Sequence, residues 1–316
     1  MKHMLTAVLI CLTAAAAAQD CGAGLRPFEH LGGTTCIPES PQRIVGLQDD
    51  EVVTPLLDLG APVVASGFRQ RDGGAPFLRG AVFMIPEDVR SSLTNLGDPN
   101  QPDFEALAAA DPDLIILDTD ALDIASRTGA IAPTIVLPET EFLLDYLATF
   151  ARIAGVTQTY ESRRAAYEAR VEEVRAKIGT PAGITISQLD MYDQGMWYEP
   201  NRGALDQVLT DLGFTRPEPI AEALKTRDGF DPLSFEFLPT LDGDIIISTY
   251  AGVFGQSPAR FEADWDGYAP FWRDLAGVAS GEHFWVERDL YNGRTFTSLM
   301  KSLDAIELIT VGREFE

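Results

Sequence analysis

The sequence predicts an α/β fold in which two similar lobes are connected by one long helix. Short apolar segments of strand length alternate with helical segments, which is typical of βαβ units around a parallel sheet. The 22 residues at 157–178 contain neither glycine nor proline. A motif that begins at Phe104 returns at Phe235, 131 residues later. The length of 316 residues fits two domains of roughly 100–200 residues each.

The N-terminus has the features of an export signal. Lys2 supplies a positive start, an apolar run follows at 4–11, and small residues occupy 14–18. This order is typical of a cleaved signal peptide, and the apolar run is too short to span a membrane. We therefore expect residues 1–18 to be removed and the mature protein, which begins at Gln19, to be periplasmic. A lipoprotein anchor is disfavoured because Asp20, rather than a small residue, precedes Cys21.

Two cysteines remain once Cys11 is lost with the signal. In an oxidising compartment, Cys21 and Cys36 most simply form one disulfide. Closing that loop stabilises the fold by about 3 kcal/mol on the chain-entropy model. The alternative is a metal-binding pair, which lacks a third or fourth soft ligand nearby.

Alternating strands and helices are predicted along the first lobe. Gly60 ends the first of these helices, and a later helix stops before Pro112, which cannot continue it. The predicted strands are 44–47, 62–67, 114–117 and 135–137, and the predicted helices are 51–59 and 104–110.

Residues 157–178 are predicted to form a single helix, roughly 33 Å long at 1.5 Å per residue. Tyr160, Tyr167, Val171 and Val174 recur at intervals of seven, four and three residues, and Gly179 ends the helix. On this periodicity alone, a surface helix within one domain is an equally good interpretation.

An internal repeat favours two lobes, with the helix as a strut between them. Both parts of the repeat keep the same offset of 131 residues. The first copy reads Phe104-Glu105-Ala106-Leu107 and then Asp113-Leu114-Ile115-Ile116, and the second reads Phe235-Glu236-Phe237-Leu238 and then Asp244-Ile245-Ile246-Ile247.

The order of these segments resembles the periplasmic substrate-binding proteins of ABC importers for ferric siderophores, haem or vitamin B12. The similarity covers most of the mature chain and includes the segments 41–45, 56–60, 104–107, 112–116 and 290–294. The resemblance implies two Rossmann-like lobes at 19–156 and 179–316, joined by one rigid helix at 157–178. It also implies a ligand cleft between the lobes and little hinge motion.

The resemblance further implies a docking role for Glu105 and Glu236. In this family an acidic residue at this place on each lobe pairs with arginines of the membrane permease. One charge on each lobe would orient docking. The alternative is that both are ordinary solvated glutamates at the surface.

Candidate ligand-binding residues follow the predicted strands, because ligands of open α/β sheets bind beyond the carboxyl ends of the strands. Arginine pairs with the oxygens of an anionic chelate, and aromatic rings stack on its apolar rim. Alternatively, the arginines are solvated and Trp285 belongs to the core. The acidic run at 49–51 resembles a binding site for a hard metal ion, but consecutive acidic residues before a helix more often cap its N-terminus. The candidates are Arg69 and Arg71 on one wall, and Tyr192, Trp197, Tyr198, Tyr250 and Trp285 on the other.

Charge and motifs exclude several classes of function. With 48 acidic and 24 basic residues the net charge is −24, which argues against binding to nucleic acid or to an anionic membrane. His30 and His283 have no partner at metal-ligand spacing, so we expect no metal site formed by the protein itself. Common nucleophile, phosphate-loop, dinucleotide and metalloprotease motifs are absent from the sequence.

We therefore predict a monomeric, non-enzymatic protein that captures a ferric siderophore and delivers it to an ABC permease. It needs no cofactor, since iron arrives only as the chelated ligand. The alternatives are binding of haem or cobalamin within the same family, or, from a different class, a secreted α/β hydrolase.

Overall fold

Two parallel β-sheets, one in each half of the chain, form the framework of the fold. This computed structural model describes residues 20–71, 74–138, 142–198, 203–226, 229–313 and 315. The predicted export signal lies outside them. Within these ranges, no helix is both long and apolar enough to cross a membrane.

The first lobe contains all four strands that its sequence predicts. A π-helical turn, Asp49–Val53, replaces the beginning of the predicted helix 51–59. Its strands are β1 (Leu25–His30), β2 (Gly33–Pro38), β3 (Ile44–Gly46), β4 (Val63–Ser66), β5 (Thr94–Asn95), β6 (Gly97–Asp98), β7 (Gln101–Pro102), β8 (Leu114–Leu117) and β9 (Thr134–Val136). Its helices are α1 (Thr54–Asp58), α2 (Ala81–Met84), α3 (Glu87–Ser92), α4 (Phe104–Ala109), α5 (Ala125–Thr128) and α6 (Leu143–Ala154). A parallel sheet of order β5-β4-β3-β8-β9 forms its centre, while β1 and β2 form an antiparallel hairpin.

The second lobe combines a parallel sheet with an antiparallel one. Its strands are β10 (Ile186–Gln188), β11 (Asp190–Tyr192), β12 (Gly195–Tyr198), β13 (Phe230–Leu233), β14 (Ile245–Tyr250) and β15 (His283–Glu287). Its helices are α8 (Ala204–Leu212), α9 (Glu218–Thr226), α10 (Pro258–Tyr268), α11 (Ala276–Ala279), α12 (Arg288–Tyr291) and α13 (Phe296–Thr310). Strands β10-β14-β15 are parallel, whereas β11-β12-β13 form an antiparallel sheet that the sequence pattern does not predict.

The linking helix α7 (Thr157–Ile178) has the predicted span. Its apolar stripe, which comprises Tyr160, Tyr167, Val171 and Val174, is buried. These side chains belong to a hydrophobic core that continues into both lobes, so the helix is packed along one face rather than suspended between the lobes.

The internal repeat corresponds to one structural unit in each lobe. Asp113, just before β8, accepts hydrogen bonds from the backbone N–H groups of Gln42 (2.6 Å) and Arg43 (3.0 Å). Asp244, just before β14, accepts one from Thr185 N–H at 2.7 Å. Each aspartate therefore anchors the start of the neighbouring parallel strand, β3 or β10, which explains why an aspartate precedes the three aliphatic residues in both copies.

Two further contacts secure the first lobe. Cys21 and Cys36 form the predicted disulfide, which joins the segment before β1 to β2. The buried carboxylate of Asp58, at the end of α1, accepts hydrogen bonds from Phe296 N–H (2.9 Å) and the Thr297 hydroxyl (2.6 Å) in α13. It also pairs with Arg163 of the linking helix at 2.5 Å. One carboxylate thus ties together the first lobe, the linker and the last helix.

Candidate ligand-binding cleft

Two adjoining cavities lie where the carboxyl ends of the strands from both lobes meet. The interlobe cavity has a volume of about 240 Å³ and is lined by Asp50 and Arg79 from the first lobe and by Arg288 and Asp289 from the second. The aromatic cavity, of about 550 Å³, lies on the second lobe against β11 and β12. Arg288 and Asn292 line both, so the two cavities adjoin. Their volumes are in the range of small-molecule sites.

The aromatic cavity receives three of the predicted residues. Tyr192, Trp197 and Tyr198 line it, because the short hairpin of β11 and β12 presents them together. The indole Nε1 of Trp197 is buried with no hydrogen-bond partner among the residues described. The hydroxyl of Tyr198 donates instead to buried Asp206 at 2.9 Å, so its polar end is held in the core.

Two predicted aromatic residues lie outside both cavities. Trp285, in β15, stacks on Phe261 with ring centroids 5.6 Å apart and packs against Trp265 at 4.9 Å. Trp285 is partly buried and packs against the core of the second lobe, which is the position that the alternative interpretation gives it. Tyr250 is the last residue of β14 and so lies at the carboxyl end of that strand, but it lines neither of the two cavities.

Arg69 is bound by the acidic run that follows β3. Its Nε lies 2.8 Å from Asp49 Oδ1 and its Nη2 lies 3.0 Å from Asp50 Oδ1. Asp49 is fully buried, and burial, reinforced by the neighbouring Asp50, raises the pKa of its carboxyl to about 6. Although burial opposes ionisation of Asp50 as well, Arg79 and Arg69 hold its pKa below the usual value. The acidic run thus binds arginines rather than capping a helix.

Arg71 is exposed, and its guanidinium lies over the ring of Phe77 at 5.4 Å. It makes no ion pair within the part of the chain that the structure covers. Phe77 in turn meets Phe254 of the second lobe edge to face, with centroids 6.0 Å apart. Arg71 therefore lies beside an aromatic contact between the lobes rather than on a cavity wall.

The sequence pattern did not indicate Arg79, which connects the lobes across the interlobe cavity. Its Nη1 lies 2.8 Å from Asp50 Oδ2 in the first lobe, and its Nε lies 3.0 Å from Asp289 Oδ1 in the second. It follows no predicted strand directly, so nothing in the local sequence distinguishes it from a surface arginine.

Two arginines of the second lobe complete the cleft. Arg288 follows β15, and its Nε lies 3.5 Å from Asp289 Oδ1. Burial and the nearby Asp190 raise the pKa of Tyr192 to about 12, while Arg288 opposes this shift. Arg294 lies 3.6 Å from Glu51 of the first lobe. Arg294 belongs to the segment 290–294, which is part of the family resemblance. That resemblance is the feature of the sequence that could have identified Arg294 as a cleft residue.

The two glutamates that are predicted to contact the permease lie on separate lobes, and both are exposed. Glu105 is in the first turn of α4, where Asp103 caps the helix by accepting hydrogen bonds from two backbone N–H groups. Glu236 is in a 3₁₀ turn, Phe235–Leu241, which contains Pro239. Neither glutamate makes an ion pair with another residue that the structure describes.

Protein side chains in the described ranges do not assemble a metal site: no cluster of three or more histidine, cysteine, aspartate or glutamate residues is present there. His30 Nε2 is hydrogen-bonded to Thr35 Oγ1 at 2.8 Å, and His283 packs among the tryptophans of the second lobe. The cleft offers aromatic rings, arginines and carboxylates, which can hold a ligand.

Comparisons with known proteins agree with this geometry. The family model described as "Periplasmic binding protein" matches residues 76–258. The "Probable siderophore-binding lipoprotein YfiY" of Bacillus subtilis is 28% identical over 269 residues, which are 81% of this chain and 78% of that protein. In fold, the chain is similar to Staphylococcus aureus SirA complexed with staphyloferrin B (TM-score 0.71, 19% identity, 90% of this chain and 97% of that one). It is also similar to the FhuD protein from S. pseudintermedius (TM-score 0.72, 19% identity, 92% of this chain and 99% of that one).

Proposed function

Because the chain belongs to the periplasmic binding protein family, within the group that serves importers of ferric siderophores, haem and vitamin B12, we propose that it captures a ferric siderophore in the cleft between its lobes. It is an extracytoplasmic substrate-binding protein and not an enzyme. The hydrolase alternative is therefore wrong. The siderophore supplies every ligand of the iron, and the protein needs no cofactor.

The observation that carries the proposal is the pair of adjoining cavities. One is lined by charged groups of both lobes, and the other by Tyr192, Trp197 and Tyr198. A metal chelate needs a surface that is apolar around its rim and polar at its exposed oxygens, and these cavities provide both. The printed name of YfiY, a siderophore-binding protein, supports the same ligand class.

Titration of the purified protein tests the ligand. Ferric complexes of a hydroxamate, a catecholate and a carboxylate siderophore are added separately while tryptophan fluorescence is followed. Because Trp197 lines the cavity, a bound chelate should quench it, with a dissociation constant below about 1 μM for at least one class. Haem and cobalamin are titrated in parallel, and saturable binding of either one alone would assign the ligand to that alternative. An absence of binding by all siderophores would contradict the proposal.

The proposal includes delivery of the ligand, by a monomer in the periplasm, to an ABC permease through Glu105 and Glu236. Both carboxylates are exposed on separate lobes, so a permease that carries complementary cations could contact the two lobes at once. Glu105→Ala combined with Glu236→Ala should leave the ligand dissociation constant unchanged and reduce uptake in whole cells by roughly tenfold or more.

Glu29→Ala combined with Glu218→Ala is the matched control, because Glu29 is an exposed glutamate of the first lobe and Glu218 is an exposed glutamate of the second. Uptake should be normal in that control. Normal uptake in the Glu105/Glu236 double variant would show that the docking assignment is wrong without affecting the ligand assignment.

A further inference from the structure

Every arginine that the structure describes in the lining of the cleft lies near a carboxylate. Arg79 is bound between Asp50 and Asp289, at 2.8 Å and 3.0 Å. Arg288 lies 3.5 Å from Asp289, and Arg294 lies 3.6 Å from Glu51. Arg69, next to the interlobe cavity, is likewise bound to two aspartates of the acidic run. Among the residues that the structure describes, the cleft therefore offers no arginine whose charge is unopposed.

Carboxylates outnumber arginines among the described residues that line the cavities. This described part of the lining contains three arginines and five carboxylates: Arg79, Arg288 and Arg294, against Asp50, Glu51, Asp190, Asp193 and Asp289. Asp193 is exposed in the turn between β11 and β12, beside Tyr192. The complete chain has a net charge of −24, so the long-range electrostatic field of the protein does not attract anions either.

Asp289 adds a specific preference for a hydrogen-bond donor. It is 4% exposed, and its Oδ2 has no hydrogen-bond partner within the ranges the structure covers. A buried carboxylate oxygen is costly unless a donor reaches it. A ligand that brings an N–H or ammonium group to the interlobe cavity would satisfy this oxygen, whereas an anion would be repelled by it.

The net charge of a ferric siderophore depends on its chelating groups. Three hydroxamates carry one negative charge each and cancel the charge of Fe³⁺, so the complex is neutral, or cationic where an amine is attached. Three catecholates carry two negative charges each and leave a trianion. Chelates built from hydroxycarboxylates also keep negative charge.

We infer that the cleft selects a ferric chelate without net negative charge, of the tris-hydroxamate class, over an anionic catecholate or carboxylate chelate. This inference rests on the proposed function and narrows its ligand. The balanced arginines position the acidic groups of the cleft, and the rings of Tyr192 and Trp197 contact the chelate.

Three chelates of graded charge test the inference on the unmodified protein. Ferrioxamine B is a cation, ferrichrome is neutral and ferric enterobactin is a trianion. Ferrioxamine B or ferrichrome should bind at least about tenfold more tightly than ferric enterobactin at low salt, where charge effects are largest. Equal or tighter binding of ferric enterobactin would overturn the inference and leave the proposed function intact. Binding of none of the three would overturn the inference, and it would overturn the proposed function as well only if the carboxylate chelate of the fluorescence titration also failed to bind.

A charge reversal at the mouth of the aromatic cavity gives an independent measurement. Asp193→Lys lies in an exposed turn, so the fold should tolerate it. It should move the ratio of affinities toward ferric enterobactin by about tenfold, because one substitution attracts the anion and repels the cation. Glu161→Lys, an equal charge change on α7 outside both cavities, should leave the ratio unchanged. A ratio that Asp193→Lys does not alter would overturn the inference.

Discussion

Asp49 and Arg69 illustrate how a buried residue controls the charge of its neighbours. Asp49 is fully buried, accepts the Arg69 Nε hydrogen at 2.8 Å and also accepts the Arg79 backbone N–H at 2.7 Å. Arg69 is about one-third exposed, so its outer edge faces water while its inner edge compensates a carboxylate that has no access to water. Arg69 therefore contributes to the stability of the folded state by compensating the charge of Asp49.

Replacing Arg69 should destabilise the protein. Arg69→Met leaves Asp49 buried without its charged partner, and we expect the free energy of unfolding to fall by about 2 kcal/mol. Urea denaturation measures this change. Adding Asp49→Asn should recover part of the loss, because the amide needs no counter-charge. Arg71→Met, at an exposed arginine, is the matched control and should change stability by less than about 0.5 kcal/mol; equal losses at both positions would refute the explanation.

His283 should make stability dependent on pH. Burial, with a smaller contribution from Arg273, lowers its pKa from 6.5 to about 4. Between those values the unfolded chain binds a proton that the folded chain does not, so stability falls as the pH is lowered from 6.5 towards 4. The loss should reach roughly 3 kcal/mol at its largest.

Denaturation of His283→Phe across the same pH range isolates this contribution. The variant should lose less stability than the natural protein on acidification, while His30 contributes equally to both and cancels. Phenylalanine fits the aromatic surroundings, and Ser248, which His283 contacts at 3.0 Å, retains its hydrogen bond to Leu189 O. Parallel stability curves for the two proteins would show that His283 is not the cause.

At the scale of elements, short anchoring contacts hold the helices and strands in register. Asp113 and Asp244 anchor equivalent strands, and Asp58 ties α1 to α7 and α13. The two copies of the repeat nevertheless differ in helix type. Asp103 caps α4, whereas Pro239 lacks the N–H that a continuing α-helix needs, which leaves a 3₁₀ turn in the second lobe.

Removing the Asp58 carboxylate should loosen the last helix. Asp58→Ala removes the acceptor of three hydrogen bonds, one of which comes from the charged guanidinium of Arg163. We therefore expect the free energy of unfolding to fall by about 3 kcal/mol. Hydrogen exchange at the amide of Phe296 should accelerate at the same time. Asp304→Ala is a suitable control because its ion pair with Arg170 is at the surface and should contribute less than about 1 kcal/mol. Unchanged exchange at Phe296 would show that Asp58 does not anchor α13.

At the scale of the whole molecule, the lobes are coupled by three kinds of contact. The hydrophobic core runs from one lobe through α7 into the other. Arg79 and Asp289 form an ion pair across the cleft, and Phe77 meets Phe254 at its edge. A hinge between the lobes would have to separate these groups and expose part of a shared core, which is costly.

Ligand binding should therefore change the overall dimensions little. We expect the radius of gyration from small-angle X-ray scattering to differ by less than about 1 Å between the free and ligand-saturated protein. The comparison is made with the siderophore that binds most tightly in the fluorescence titration. A larger compaction on binding would show that the shared core does not restrain the lobes.

The local pattern of apolar residues, glycines and prolines was sufficient to predict the main strands and helices of the first lobe and the linking helix. Apolar runs predicted β3, β4, β8 and β9, the stretch without glycine or proline predicted α7 over its full span, and two cysteines predicted the disulfide. It was insufficient for the β11-β12-β13 sheet, whose strands are three or four residues long and carry no clear alternation. The local pattern also could not distinguish a position of Trp285 in the cleft from one in the core.

The fold class, the two lobes, the linking helix and the family could be predicted from the sequence, because these depend on periodicity and order along the chain. The residues that line the two cavities, and the carboxylates that their arginines meet, became visible only in the folded protein. Arg79 meets Asp289 across 210 positions of sequence, and Arg69 is neutralised by a run 19 and 20 residues before it. Such pairings depend on burial and on distances in space, so the residue types alone predicted free arginines in the cleft, whereas the described arginines of its lining each lie near a carboxylate.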